Sequence, residues 1–134
     1  MGIRLGIFVQ KVHTRFFKGE MIDMKKFNKT LKFEIWEIIP YIYEDDFGSN
    51  VLLLINADET DEEKFIANCS AYMDCHLNND EVLIKNYSEN TNILNWLIKN
   101  DIVFHPTKFM DNGYAIFPIC KINLDNFIEV KEIM

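Results

Sequence analysis

The sequence is poor in the residues that build phosphate-binding loops, disulfide scaffolds and membrane spans. Its 134 residues include five glycines, three prolines and three cysteines. The glycines are scattered, so the sequence has no glycine-rich loop of the kind that binds nucleotide phosphates. The longest uninterrupted apolar run covers residues 51–55, far below the roughly 18 residues that indicate a membrane-spanning helix. We therefore expect neither a nucleotide-binding loop nor a membrane association.

The cysteines and histidines form no recognisable catalytic or metal-binding motif. An odd number of cysteines is typical of reduced thiols, which favours a cytoplasmic location. Cys69, Cys75 and Cys120 with His76 are a conceivable zinc site, but their spacing matches no common zinc motif. Cys69 and Cys75 also fall on the apolar side of an alternating segment, where cysteine acts as a small hydrophobic residue. The sequence predicts no metal, no cofactor and no enzymatic activity.

Charge is distributed unevenly along the chain. The formal net charge is −7, from 14 basic and 21 acidic residues. Residues 1–32 contain eight bases and two acids, whereas residues 33–63 contain ten acids and no lysine or arginine. Because an acidic body repels phosphates, we expect no direct nucleic-acid binding. The acidity either keeps a small domain in solution or forms a surface that binds a basic protein partner.

The acidic segment supplies the candidate binding residues. Rows of carboxylates can take the place of nucleic-acid phosphates in the basic groove of a nuclease, and aromatic side chains among them are typical interface anchors. The predicted partner-binding residues are Glu34, Trp36, Glu37, Tyr41, Tyr43, Glu44, Asp45, Asp46, Asp58, Glu59, Asp61, Glu62 and Glu63.

The first 23 residues have two interpretations. Arg4 interrupts their apolar stretch and no small-residue cleavage site follows, which argues against a secretory signal. A basic amphipathic arm is the first interpretation, because one helical face would carry Leu5, Phe8, Val9, Val12 and Phe16. The second is an upstream translated segment before a natural start at Met24, since the codons of residues 18–20 can contain a bacterial ribosome-binding sequence. We accordingly divide the chain into residues 1–23 and one domain over residues 24–134.

Alternating apolar and polar residues predict a sheet-rich domain. The predicted strands are residues 30–39, 51–55, 65–75, 82–85 and 114–124. Pro40 is expected to end its strand or mark a sheet edge, and Pro118 to mark an edge or a bulge. A helix over residues 62–71 is the alternative for the third strand. Residues 111–113, Asp-Asn-Gly, are a strong turn signal.

Residues 93–98 have the clearest helical pattern in the sequence. Ile93, Leu94, Leu97 and Ile98 form an apolar stripe at helical spacing. Asn90 or Thr91 is expected to cap its first turn, and Asn100 to end it in the left-handed conformation. A short final helix is expected after Asn123 or Asp125. The predicted fold class is α+β, with one mostly antiparallel sheet packed against one or two short helices.

Several short segments resemble a known family. They are Met24-Lys25-Lys26-Phe27, the sequence EVLIKNYSEN at 81–90 with the helix at 93–98, Gly113-Tyr114-Ala115 and Pro118-Ile119-Cys120-Lys121. In this order they resemble small proteins of unknown function found on conjugative elements and bacteriophages, over roughly residues 24–124. The sequence departs from that family at residues 107–109, where a Thr-Gly turn is expected. The resemblance implies a bacterial mobile genetic element as the source, and no catalytic residue.

Two functions are compatible with these features. The first is an acidic interaction protein of a mobile element, in the form of a nucleic-acid-mimicking inhibitor of a host defence nuclease of the restriction or CRISPR type. The second is a structural or assembly module of the element that acts as a homodimer through the strand at 114–124.

Overall fold

A computed structural model of the chain describes residues 21–73, 75–86 and 92–133, and about half of them lie in two antiparallel sheets. The strands are β1 Met21–Phe27, β2 Leu31–Phe33, β3 Trp36–Glu44, β4 Asn50–Asn56, β5 Phe65–Asn68, β6 Glu81–Leu83, β7 Lys108–Asp111, β8 Ile116–Lys121 and β9 Phe127–Ile133. The larger sheet has the order β5-β4-β3-β1-β9, with β2 also paired to β3, and the smaller has the order β6-β8-β7. The mostly antiparallel character predicted from the sequence is confirmed, but in the described residues the strands form two sheets rather than one.

The strand predicted over residues 30–39 is a hairpin instead. β2 and β3 pair with Phe33 opposite Trp36, so that Glu34 and Ile35 make a two-residue turn. Glu34 adopts a φ of 56°, as the first turn position of a tight hairpin requires, although glycine is the usual residue there. Alternation continues through both sides of this turn, which is why the sequence pattern resembles one strand.

Pro40 lies inside β3 and neither ends the strand nor marks a sheet edge. The Glu37 carbonyl accepts a hydrogen bond from the Ala57 amide on the β4 side at 2.8 Å. Hydrogen-bonding direction alternates along a strand, so the nitrogen of Pro40 points away from β4. On that side β2 pairs with β3 as far as Ile38, and β1 begins to pair at Tyr41. Pro40 therefore occupies the gap between two partner strands, where a missing N–H breaks no ladder.

The predicted helix is present as α1, Ile93–Lys99. Ile93 and Leu97 are buried in the main core, and the Trp96 ring meets Phe33 edge-on at 5.1 Å between centroids. The predicted caps Asn90 and Thr91 lie outside the described residues. The Asn86 side chain accepts a hydrogen bond from the Leu94 amide at 3.1 Å.

The end of α1 differs from its prediction by one residue. Asn100 has a φ of −95°, whereas Asp101 takes the left-handed conformation with a φ of 62°. Aspartate tolerates this conformation better than most residues because its short polar side chain can bond locally.

The main core lies between the larger sheet, the smaller sheet and α1. Its buried side chains are Phe27, Ile38, Ile42, Leu52, Leu54, Cys69, Val82, Ile84, Ile93, Leu97, Ile102, Val103, Cys120, Ile122 and Phe127. In the larger sheet these residues alternate with others that point to the opposite side, so one face of the sheet faces this core.

We call the opposite side of the larger sheet the outer face, and it is mostly apolar, although Lys26 and Asn68 also lie on it. Cross-strand pairs place on it Met24, Ile39, Tyr41, Tyr43, Val51, Leu53, Ile55 and Val130. Four of them are nearly fully buried: Met24 is 2% exposed, Tyr41 6%, Leu53 3% and Ile55 6%. A sheet that faced water on this side would alternate apolar and polar residues instead.

β8 is the central strand of the smaller sheet and its register with both neighbours is continuous, so Pro118 marks neither the edge nor the bulge predicted for it. β6 pairs on one side and β7 on the other. The Pro118 carbonyl accepts a hydrogen bond at 2.9 Å from the amide of Ile84, the first residue after β6. The carbonyl and the nitrogen of one strand residue point to the same side, so the Pro118 nitrogen also points towards the chain that follows β6. The β6 strand ends at that position, so the missing N–H breaks no hydrogen bond of the β6–β8 pair.

The chain after β8 forms a strand and not the predicted final helix. Residues Leu124–Asn126 make one turn of 3-10 helix, and β9 follows at once. β9 pairs with all of β1, from Phe27 opposite Phe127 to Met21 opposite Ile133. β1 thus begins three residues before the domain boundary predicted at residue 24.

The remaining strand predictions are confirmed in part. The apolar run 51–55 lies within β4, and residues 82–83 within β6. The strand predicted over 65–75 is shorter, because β5 ends at Asn68 and only a bridge at Ser70 follows. The predicted turn at 111–113 joins β7 to β8, with Gly113 at a φ of 91°.

Candidate acidic interface

The predicted acidic residues fall into two groups at opposite ends of β4. We call Glu44, Asp45 and Asp46 the turn acids, and Asp58, Glu59, Asp61, Glu62 and Glu63 the loop acids. β4 has seven residues, which places the groups roughly 20 Å apart at the usual strand rise. They are therefore two separate acidic patches and not one continuous row.

The loop that carries the loop acids is held by Asn56, the last residue of β4. The buried Asn56 side chain donates to the Glu63 carbonyl at 2.9 Å and accepts from the Asp58 amide at 2.9 Å. Its own amide donates to the Lys64 carbonyl at 2.9 Å. One buried side chain thus fixes the start and the end of the loop, so the loop is tied to the sheet at both ends.

Side chains inside the loop give it further order. Asp58 accepts from the Thr60 hydroxyl at 2.7 Å and from the Thr60 amide at 3.0 Å, and Asp61 accepts from the Glu63 amide at 2.9 Å. The hydroxyl bond from Thr60 is the main reason why the pKa of Asp58 lies below its usual value. Lys64 donates from its ammonium group to the Glu59 carbonyl. The carboxylates of Glu59, Glu62 and Glu63 are on exposed residues.

Two further predicted acids lie towards the same end of the sheet. Glu37 is exposed, and its carbonyl bonds Ala57 at the entrance to the loop. Glu34 is exposed in the β2–β3 turn, which precedes β3 at the same end of the strand as Glu37. The loop acids with Glu37 therefore form the denser of the two acidic patches.

Asp45, one of the turn acids, stabilises the β3–β4 hairpin. One carboxylate oxygen of Asp45 accepts from the Phe47 and Ser49 amides, both at 2.9 Å. This leaves Phe47 77% exposed, and its ring lies 5.6 Å from that of Tyr72. Sequence reasoning missed this aromatic pair, because nothing in the local pattern places residue 72 beside residue 47.

The predicted aromatic anchors do not lie among exposed carboxylates. Tyr41 is buried on the outer face, so it cannot serve as a surface anchor, and Tyr43 is half-buried beside it. Trp36 is half-buried and packs against the main core. Burial follows from their positions in β3, a strand with partners on both sides. The acidic patches consequently consist of carboxylates without these anchors.

Two of the three cysteines are unreactive thiols. Cys69 and Cys120 are buried, and burial raises the pKa of each thiol to about 12. At neutral pH both are protonated, whereas nucleophilic attack and metal binding require the thiolate. In the described ranges no group of three or more histidine, cysteine or acidic side chains could hold a metal ion.

Residues 21–73, 75–86 and 92–133 include no helix that is long and apolar enough to cross a membrane. The chain matches no protein-family model, no curated protein and no solved structure.

Proposed function

We propose that this protein is a small acidic cytoplasmic interaction protein, without enzymatic activity, that binds a basic surface of a protein partner. The loop acids and Glu37 form the binding patch. The observation that carries the proposal is the loop itself, in which Asn56 and Thr60 hold five acidic residues in one arrangement. Its source in a mobile element is inferred from the resemblance of residues 24–124, and its target among host defence nucleases from that source together with the acidic surface.

Charge and order both favour binding by this loop. Five acids and Lys64 lie within seven residues, 58–64, and a dense patch of one sign accelerates association with an oppositely charged surface. A loop that is ordered before binding loses little conformational entropy when a partner arrives. A basic groove that normally accepts nucleic-acid phosphates is the partner surface that such a patch would fit.

The proposal is tested with three baits in nuclease-treated bacterial lysate at low and high salt. The baits are the wild-type chain, a loop variant with Glu59→Gln, Glu62→Gln and Glu63→Gln, and a control variant. The loop variant loses three charges but none of the side-chain hydrogen bonds described above. The expected result is a basic nucleic-acid-binding protein that the wild type captures at low salt, releases at high salt and releases when duplex DNA is added.

The control variant removes three charges elsewhere, through Asp101→Asn, Asp111→Asn and Asp125→Asn, all on exposed residues. It should capture the same protein as the wild type, whereas the loop variant should not. Equal capture by all three baits would contradict the loop as the binding patch. Capture that high salt and added DNA leave unchanged would contradict the nucleic-acid mimicry.

A homodimeric assembly module is the second candidate, and the smaller sheet supplies the observation that favours it. β7 is one of the two outer strands of that sheet, and its Phe109 is 60% exposed. Tyr114 in the following turn is 97% exposed, and Ile116 at the start of β8 is 59% exposed. A strand edge with exposed apolar side chains is a common pairing surface. Light scattering on the wild type and on Phe109→Lys distinguishes the candidates, since only a dimer through this edge would become a monomer.

A further inference from the structure

The outer face of the larger sheet requires a covering segment. Met24, Tyr41, Leu53 and Ile55 are nearly fully buried. The apolar side chains packed against them in the described residues are Ile39, Tyr43, Val51 and Val130, and all eight belong to this same face. Neighbours beside a side chain in a sheet shield its flanks, whereas its tip is shielded only by something packed on top. α1 and the smaller sheet belong to the main core on the other side.

We propose that residues 1–20 of this chain lie across the outer face, with their apolar side chains packed against it. This inference rests on the burial of the outer face and not on the proposed function, although both assign contacts to Glu37 and the loop acids. The apolar set is Leu5, Phe8, Val9, Val12 and Phe16, which share one side of a helix.

The point of entry supports this segment as the occupant. Residue 20 leads directly into Met21, the first residue of β1. β1 lies inside the sheet with β3 on one side and β9 on the other. Met24, on the outer face, is only three residues further along. If the chain turns just before Met21, residues 1–20 are therefore close enough to lie on the outer face.

Length and charge fit the same occupant. If residues 5–16 form a helix, it is about 18 Å long. The four strands β4, β3, β1 and β9 span about 14 Å between their axes. Residues 1–20 contain Arg4, Lys11, Arg15 and Lys18 against a single acid. The outer face is bordered by Glu37 on β3 and by the loop acids after Ile55. Cations beside this rim would be in favourable contact with carboxylates.

The test measures access to the outer face through a cysteine introduced at the half-buried position Val51. Maleimide labelling of Val51→Cys is followed by mass spectrometry of the peptide, in the full chain at several protein concentrations. A second change, Phe8→Asp with Val12→Asp, places charge on the apolar side of the segment. Gln10→Asp with Thr14→Asp adds the same charge on the opposite side and is the matched control.

The expected result is slow labelling in the otherwise unchanged chain and in the control. Labelling should be at least tenfold faster with the aspartates at positions 8 and 12. Equal rates in all three chains would overturn the proposal. Slow labelling that becomes fast on dilution would also overturn it, in favour of a second copy of the chain.

A measurement on the unaltered protein guards against loss of folding in the variants. Methyl–aromatic nuclear Overhauser effects should join Leu53 and Val51 to Phe8 or Phe16. In a mixture of isotope-labelled and unlabelled chains, these contacts should be detected within one chain and not between a labelled and an unlabelled chain. Assigned Leu53 methyls that contact no residue of 1–20 would refute the proposal, whatever the variants do.

Discussion

The ion pair between Glu81 and Lys108 should contribute measurably to stability at neutral pH. Glu81 in β6 is 3% exposed, and its carboxylate accepts from the Asn78 amide at 2.8 Å and from the Lys108 ammonium at 2.8 Å. Burial alone would raise the pKa of Glu81, but the Lys108 hydrogen bond and the Asn78 amide outweigh it and hold the pKa below its usual value. The pair joins the two outer strands of the smaller sheet across β8.

Replacing Lys108 with Met removes the cation and keeps most of the side chain's length. A hydrogen bond to a charged group contributes about 1.5–3 kcal/mol. Because the Lys108 side chain is 51% exposed, water replaces part of the interaction, and we expect a loss of about 1–2 kcal/mol at pH 7. Urea unfolding followed by tryptophan fluorescence measures this change.

The effect of Lys108→Met should depend on pH in a defined direction. A lowered folded-state pKa contributes stability above the unfolded-state value of about 4.3, and this contribution is lost as the pH falls through the folded-state pKa. The difference in the free energy of unfolding between wild type and variant should therefore be greatest above about pH 5 and decrease towards pH 3. In the variant, burial remains while the main lowering contact is gone, so the pKa of Glu81 should rise.

Lys121→Met is the matched control for Lys108→Met. Lys121 lies directly opposite Glu81 in the ladder and lowers its pKa through charge, the weakest of the contributions. We expect its loss to cost only a few tenths of a kcal/mol, as for an exposed pair. An equal cost for both variants, or a cost of Lys108→Met that is the same at pH 3 and pH 7, would refute the reasoning.

Three other substitutions test separate parts of the fold. Leu97→Ala removes a fully buried side chain of the main core and should cost about 3 kcal/mol in urea unfolding; a loss below 1 kcal/mol, on the order of an exposed site, would contradict its place there. Glu34→Gly relieves a φ of 56° and should leave stability unchanged or raise it by up to about 1 kcal/mol, whereas a clear loss would show that the Glu34 side chain stabilises the turn. Thr60→Val removes the hydroxyl bond to Asp58 and should raise the pKa of Asp58 in carboxyl NMR titration; an unchanged pKa would mean that another contact lowers it.

Local patterns predicted the elements whose contacts are local. The apolar run in β4, the turn before Gly113 and the stripe of α1 each depend on a few neighbouring residues, and each is present. The β2–β3 turn was missed because Glu34 and Ile35 lack the glycine or asparagine that marks a tight hairpin. The hydrogen bond from the Leu94 amide to the Asn86 side chain was not predicted, because Asn86 lies outside the helix and its local pattern.

The last strand shows why contacts between distant residues escape such patterns. Residues 127–131 carry apolar side chains at spacings that suit a helix turn as well as a strand, and propensity alone does not separate the two. The structure makes them a strand because all of β1 is available as a partner. Pro40 was misjudged for the same reason, since its tolerance depends on a gap between β2 and β1.

The sequence identifies the acidic residues but does not predict that they lie in two separate patches. Charge counted along the chain gives the acids of residues 33–63 as one segment. β4 lies between its two dense portions and sends them to opposite ends of the sheet, while β3 takes Tyr41 into the interior. Position within a strand, and not charge density, decides which of these side chains a partner could touch.

The pairing of β1 with β9 has a consequence for how the protein is made. Ribosomes build chains from the amino terminus, so β1 leaves the ribosome about a hundred residues before β9. Until then one hydrogen-bonding edge of β1 is open to any other strand, including one from a neighbouring nascent chain. Met21 and Ile133 finally lie side by side, so this edge of β1 closes only after nearly the whole chain has been made.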